Sequence, residues 1–183
     1  MSKEKYLTRE DYFFKLYLNK LQKFSKVEVK ANQLTSLETM NSISNFDFSQ
    51  YYSFDLRKLS FNLIHSENFK NFIENLFYGS ELIFFIVDGA RKFGALEIRD
   101  INFFNLNFDS NVDKNGVLIF LDIRLHTYLL IDLYKENKEE LFDIEVKTVN
   151  ILPKNISNIV EQMKFIGWWI LKDALELEYQ FHS

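Results

Sequence analysis

The chain has 183 residues, of which 47% are hydrophobic and 20 are phenylalanine, so it is long enough for one domain with a substantial core. The absence of cysteine excludes disulfides, thiolate metal sites and cysteine nucleophiles. Five glycines and one proline, at these spacings, exclude a glycine-rich phosphate-binding loop. The formal net charge is −4, although residues 1–30 hold more basic than acidic residues. The remainder is acidic, which argues against general binding of nucleic acid.

The sequence shows no signal for a membrane. No stretch reaches the roughly 20 apolar residues that are needed to cross a bilayer. The longest apolar run, 117–134, is interrupted by charged residues. The first residues lack the apolar core of a signal peptide. A cytoplasmic location without membrane contact is therefore the expectation.

The first third of the chain predicts one helix and a polar connection. Thr8 is a helix N-cap with Asp11 as its capping-box partner, and the helix extends to about Phe24. A short strand is predicted at 27–30. Residues 31–53 are rich in Ser, Asn, Thr and Gln, which predicts a loop with a turn or two of helix and a candidate mobile segment. The apolar stripe of the helix is formed by Phe13, Leu16, Tyr17, Leu21 and Phe24.

The middle of the chain alternates between predicted strands and a second helix. That helix begins after Ser66 and is ended by Gly79. Asn115-Gly116 is the strongest hairpin signal, because both central positions of a type I′ turn have positive φ. It is expected to join the last two of the strands predicted at 56–64, 82–87, 93–99, 103–108 and 117–125.

The last third predicts a hairpin and a long helix. Strands at 128–134 and 141–149 are joined around 135–140, while the chain near 126–127 is either a turn or part of a bent, continuous strand. A helix over 156–177 follows Pro153. The whole chain, 1–183, is therefore predicted to be a single α+β domain. In it, a mostly antiparallel, meandering β-sheet is packed by N-terminal, middle and C-terminal helices.

The strand at 141–148 separates its side chains by type. Phe142, Ile144 and Val146 share one face, and Asp143, Glu145 and Lys147 share the other. A symmetric hairpin places Asp132 directly opposite Asp143, and two such carboxylates repel unless a cation or a proton intervenes. Candidate cations are Lys147, Arg124 or a divalent metal ion.

Carboxylates that hold Mg²⁺ or Mn²⁺ beside a lysine are the requirement for metal-dependent phosphodiester hydrolysis. Glu145-Val146-Lys147 forms an E-x-K strand, Asp122 or Asp132 lies upstream, and Gln162 lies on the following helix. With these residues the chain resembles the PD-(D/E)xK nuclease superfamily. The resemblance implies a nuclease whose catalytic residues are Asp122 or Asp132, Asp143, Glu145 and Lys147.

The alternative, which the sequence favours, is that the polar face is solvated and the protein acts without catalysis. The pattern offers no cofactor motif and no activated serine nucleophile. The expected function is specific protein–protein binding in the cytoplasm, as by an immunity or inhibitor protein or a small subunit of a larger assembly. Candidate contacts with a partner, which a basic protein would satisfy, are the acidic residues Glu136, Glu139, Glu140, Asp143 and Glu145 and the aromatic residues Tyr51, Tyr52, Trp168 and Trp169.

Overall fold

The computed structural model describes residues 8–47, 51–113, 115–124 and 126–148, with the side chains of 52 and 54 excepted. The predicted helix over 156–177, with Gln162, Trp168 and Trp169, lies outside these residues. The described part contains helices α1 (Arg9–Lys23), α2 (Leu37–Ser44), α3 (Glu67–Leu76) and α4 (Ala90–Phe93), and strands β1 (Tyr52–Ser60), β2 (Ile83–Ile86), β3 (Leu96–Ile98), β4 (Val117–Asp122), β5 (Thr127–Glu136) and β6 (Glu139–Thr148).

The six strands form one sheet in the order β1-β6-β5-β4-β2-β3, and every neighbouring pair is antiparallel. The predicted α+β class with an antiparallel sheet is confirmed. Strands β4, β5 and β6 follow one another as a meander, and β6 pairs at its outer side with β1, which forms one edge of the sheet. None of the helices in the described residues is both long and apolar enough to cross a membrane.

Phenylalanine rings join the helices to one face of the sheet, which we call the inner face. Phe24 at the end of α1 packs against Phe85 with ring centres 5.0 Å apart, and Phe69 of α3 packs against Phe142 at 5.5 Å. Phe120 lies between them and is fully buried. Aromatic side chains contribute more buried area than any other type, so this face supplies the stabilising core that the composition predicts.

The helix boundaries follow the capping signals of the sequence. Thr8 and Asp11 form the expected capping box at the start of α1. Ser66 accepts a hydrogen bond from the backbone of Phe69 at the start of α3. Gly79 follows that helix with φ of +82°, as a C-terminal glycine does. These predictions are confirmed to within two residues.

The hairpin predicted at Asn115-Gly116 is wrong. Strand β4 pairs with β2 and β5, and residues 105–109 have no regular secondary structure. Phe104 and Phe108 are buried nonetheless, because they pack around Phe24 in the core instead of entering a ladder. Gly116 has φ of +69°, and a Cβ there would lie 2.1 Å from the carbonyl oxygen of Leu133. The glycine is therefore required by close contact with β5.

Other predicted strand boundaries also change. Residues 27–30 form no strand, because the N–H groups of Val27 and Val29 donate to the side chains of Ser25 and Gln22. Strand β1 begins earlier than predicted and ends at Ser60, where a 3₁₀ helix over Phe61–His65 begins.

Two further boundaries concern short elements. The strand expected over 93–99 is reduced to β3, because α4 occupies the residues before Gly94. Residues 31–47 of the polar connection contain a 3₁₀ helix over Ala31–Gln33 and the two-turn helix α2.

The chain reverses between β4 and β5, so the bent continuous strand is excluded. Asp122 pairs with Thr127 across this turn, and His126 has φ of +51°. No glycine or proline marks the turn in the sequence. A histidine in the left-handed region is uncommon and carries no local signal.

Candidate functional site

The hairpin of β5 and β6 has the predicted register. Asp132 pairs with Asp143, Leu130 with Glu145, and Tyr134 with Leu141. The two strands meet at a two-residue turn, Asn137-Lys138, in which both residues have positive φ. The two aspartates therefore lie side by side on the face opposite the inner face. We call the outward residues Asp55, Arg57, Asp132, Tyr134, Asp143, Glu145 and Lys147 of β1, β5 and β6 the Asp143 face.

Asp143 is the most heavily bonded carboxylate on this face. It accepts hydrogen bonds from the Tyr134 hydroxyl at 2.9 Å, from the Arg57 guanidinium at 3.0 Å and from the backbone N–H of Lys58 at 2.8 Å. The side chain of Asp143 is only 16% exposed, so these bonds replace most of its hydration. The cation that the paired aspartates require is therefore Arg57.

A bulge in β1 brings this cation into place. The register between β1 and β6 shifts between Leu56 and Leu59, and Lys58 adopts φ of +54°. The bulge turns the Lys58 N–H towards Asp143 and leaves the Lys58 ammonium 2.9 Å from Glu136. Arg57 also contacts Asp55 at 3.1 Å. Sequence reasoning missed Arg57, since it lies on a strand far from Asp143 in the chain.

The neighbouring charges perturb two other groups on this face. Burial, with help from the hydrogen bond to Asp143, raises the pKa of Tyr134 to about 12, so its hydroxyl stays protonated as the donor. Burial and then the charge of Asp143 raise the pKa of Asp132, while Arg57 lowers it. The folded protein therefore holds a proton on Asp132 more tightly than the unfolded chain does.

The raised pKa of Asp132 predicts how replacing it with asparagine changes the stability of the protein. Protonated Asp132 contributes to the free energy of unfolding at pH values below the ordinary aspartate pKa. This contribution is lost as the pH rises through the raised pKa of the folded protein. Asp132→Asn, which cannot ionise, is therefore expected to stabilise the protein at pH 7. The gain is less than about 1 kcal/mol, because the side chain is partly exposed. Urea unfolding at several pH values measures it, and the gain must shrink as the pH is lowered towards 4. A gain that does not change with pH would rule out this electrostatic origin.

Lys147 and Glu145 neutralise each other. Their charged groups are 2.9 Å apart, and the Lys147 ammonium also lies 5.4 Å from the ring centre of Tyr128. Burial, followed by the charge of Glu145, raises the pKa of Tyr128 to about 12. The lysine of the E-x-K strand is thus held by the glutamate of the same motif.

Asp122 does not join the other carboxylates. It pairs with Thr127, an inner-face position, whereas Asp132 lies opposite Val117 on the outward face. Asp122, predicted as a possible upstream carboxylate beside Glu145 and Lys147, instead shares its face with Leu118 and Phe120, because side chains alternate along β4. Asp122 is buried and accepts a hydrogen bond from the Arg124 N–H at 2.8 Å. In the residues that the structure describes, no three His, Asp or Glu side chains form a group able to hold a metal ion.

The predicted contacts for a basic partner are largely satisfied within the chain. Four of the five acidic residues pair with a cation: Glu136 with Lys58, Glu140 with Lys135, Asp143 with Arg57, and Glu145 with Lys147. Arg124, the other candidate cation, pairs with Glu81.

Tyr51 is also engaged. Its hydroxyl bonds the Nδ1 of His126, and its ring packs against Phe46 at 6.1 Å. The side chain of Tyr52, with Trp168 and Trp169, lies outside the described residues.

Helix α1 presents an exposed apolar surface, which includes Phe13 and Leu16 of the predicted apolar stripe. Tyr12, Phe13 and Leu16 are 54%, 42% and 45% exposed, respectively. We call these three residues the α1 stripe. The rings of Tyr12 and Phe13 meet edge to face at 5.8 Å, and the Arg9 guanidinium lies 5.7 Å from the ring centre of Phe13. The sequence does contain a signal that part of this surface is exposed. The apolar residues of α1 cover a wider arc than a single buried helix face.

The buried side of α1, which adjoins the α1 stripe, is anchored by polar contacts. The buried Tyr17 hydroxyl donates to the carbonyl of Gly94 at 2.6 Å. Burial, and then Asp113 and Asp88, raise the pKa of this hydroxyl, so it remains a donor. Lys20 donates to the carbonyl of Asp88 at 3.1 Å and to the carboxylate of Asp113 at 3.3 Å. These contacts fix the rotation of α1 about its axis and so direct the α1 stripe outward.

Searches with protein-family models, curated proteins and solved structures found no match to this chain.

Proposed function

We propose that the protein acts by specific binding to another protein and has no catalytic role. The observation that carries this proposal is the α1 stripe. Three large apolar side chains stand exposed on a helix whose other side is fixed to the core. Aromatic residues are enriched in the cores of protein interfaces, and a group of exposed apolar side chains marks an interaction site.

The charges of the Asp143 face support the same proposal. A metal-dependent nuclease needs carboxylates that are free to bind a cation, and a lysine directed at the substrate. Here Asp143 is engaged by Arg57 and Tyr134, and Lys147 is engaged by Glu145. These contacts favour a structural role for the carboxylates. In particular, Asp143 joins β1 to β6 through its bonds to Arg57 and Lys58.

The setting that we propose is the cytoplasm, which the lack of cysteine suits. An immunity or inhibitor protein and a small subunit of a larger assembly both require a preformed binding surface of this kind. In either role the protein forms a stoichiometric complex with its partner. Its partner is therefore expected to co-purify with it.

The test is affinity purification of the tagged full chain from its native host, followed by quantitative mass spectrometry. We expect one protein to be recovered at a stoichiometric ratio. The triple variant Tyr12→Ser/Phe13→Ser/Leu16→Ser should lose this protein, because it removes the apolar anchors while leaving the buried side of α1 intact. Tyr78→Ser is the matched control, since Tyr78 is 84% exposed and lies outside α1. Failure to recover any stoichiometric protein with the wild type would overturn the proposal.

A further inference from the structure

The α1 stripe is bordered by positive charge. Arg9, Lys15 and Lys23 are all exposed on α1. With successive residues about 100° apart, Arg9 and Lys23 lie within the angular range of the stripe, and Lys15 lies next to Tyr12. The exposed surface of α1 therefore combines large apolar groups with basic ones.

The acidic residues of α1 point elsewhere. Asp11 is bound to the backbone and hydroxyl of Thr8 in the capping box, at the start of the helix. Glu10 lies 3.4 Å from the ammonium of Lys92, on the side of α1 that faces α4. Neither carboxylate offsets the positive border of the stripe. A partner that covers this surface therefore binds more tightly if negatively charged residues surround its own apolar residues.

The shape of the surface indicates a helix as the occupant. Tyr12 and Leu16 are one turn apart, and Phe13 broadens the row, so the apolar patch runs along the helix axis for less than two turns. A second helix that packs along α1 places side chains at i, i+3 and i+4 against such a row. Because the row is short, apolar contact covers only part of a docked helix, and the basic border contributes to recognition.

We propose that the α1 stripe binds an acidic amphipathic helix of a partner protein, an inference that rests on the proposed binding function. The partner helix places its apolar residues on Tyr12, Phe13 and Leu16. Its carboxylates lie against Arg9, Lys15 and Lys23. Binding is therefore sensitive to salt as well as to loss of apolar area.

The experiment is site-specific photo-crosslinking of the full chain in its native host. Benzoylphenylalanine is placed at position 13 or 16, and at positions 78 and 139 as comparisons. We expect positions 13 and 16, and not position 78, to crosslink to one protein, through a segment with net negative charge and helical apolar spacing. Crosslinks from 13 and 16 to lipid, to nucleic acid or to a segment without acidic residues would overturn the inference.

A synthetic peptide of the crosslinked segment then serves as the probe for affinity. Arg9→Glu/Lys23→Glu is expected to raise its Kd at least about tenfold, and raising NaCl from about 50 to 300 mM should weaken binding to the wild type. Arg9→Lys/Lys23→Arg keeps the charges and is the matched control, with affinity close to that of the wild type. Equal affinity of both double variants would contradict the charge argument.

The outcomes also separate this inference from the function on which it rests. A partner that crosslinks from position 139, and not from 13 or 16, would preserve the binding function and overturn the role of the α1 stripe. A chain that yields neither crosslinks nor a co-purified protein would overturn both.

Discussion

Lys20→Met is expected to destabilise the protein by about 3 kcal/mol, as measured by urea unfolding at pH 7. The Asp113 side chain is fully buried, and Lys20 is the cation beside it at 3.3 Å. Methionine keeps the length and apolar stem of the lysine but removes the ammonium group that neutralises the Asp113 carboxylate. The Asp88 carbonyl also loses its hydrogen bond from the ammonium group. The cost of an uncompensated buried charge dominates the effect.

Two variants test that explanation. Lys23→Met, on the same helix and exposed, is the matched control and should change stability by no more than about 0.5 kcal/mol. Asp113→Asn added to Lys20→Met should restore part of the lost stability, because it removes the buried charge and keeps an acceptor for the Asn115 N–H. A double variant less stable than Lys20→Met alone would contradict the electrostatic account.

Asp143→Ala is expected to cost about 2–3 kcal/mol, the second large effect. The substitution removes the acceptor of three hydrogen bonds, from Tyr134, Arg57 and the Lys58 backbone. Most of the cost arises at the partly buried Tyr134 and at the β1 bulge, because Arg57 itself is 59% exposed and its ion pair is weakened by water. Urea unfolding measures the change, and hydrogen exchange of the β1 amides should increase with it.

The control for this prediction shares the same arginine. Asp55 also pairs with Arg57, at 3.1 Å, but it is 44% exposed. Asp55→Ala should therefore cost less than about 0.5 kcal/mol. If both alanine variants had equal and small effects, Asp143 would not be the residue that holds β1 to β6.

Part of the fold follows from local patterns in the sequence. The register of β5 against β6 was predictable, because a symmetric hairpin around the polar connection at 135–140 fixes which residues lie opposite each other. The same symmetry predicts Asp132 opposite Asp143. The ends of α1 and α3 were predictable for a similar reason, since capping depends on residues only three positions apart.

The contacts that shape the Asp143 face and the α1 stripe are not local in the sequence. Arg57 reaches Asp143 across 86 positions of sequence, through a bulge that has no sequence signal of its own. Two of the apolar residues assigned to the core of α1, Phe13 and Leu16, are exposed, because the helix rotates to meet Gly94 and Asp113. The alternation at 103–108 suggested a strand, yet Phe104 forms only an isolated bridge with Ser25, and Phe104 and Phe108 fill the core around Phe24. Each outcome depends on a tertiary partner that no short window contains.

We propose that the α1 stripe binds another protein and that the Asp143 face stabilises the fold. The most direct measurement compares the partner's affinity for two variants by isothermal titration calorimetry. We expect Tyr12→Ser/Phe13→Ser/Leu16→Ser to weaken binding at least about tenfold, and Glu145→Gln/Lys147→Gln to leave the affinity within about twofold of the wild type. Binding lost with the second variant and kept by the first would show that the Asp143 face, and not the α1 stripe, is the binding surface.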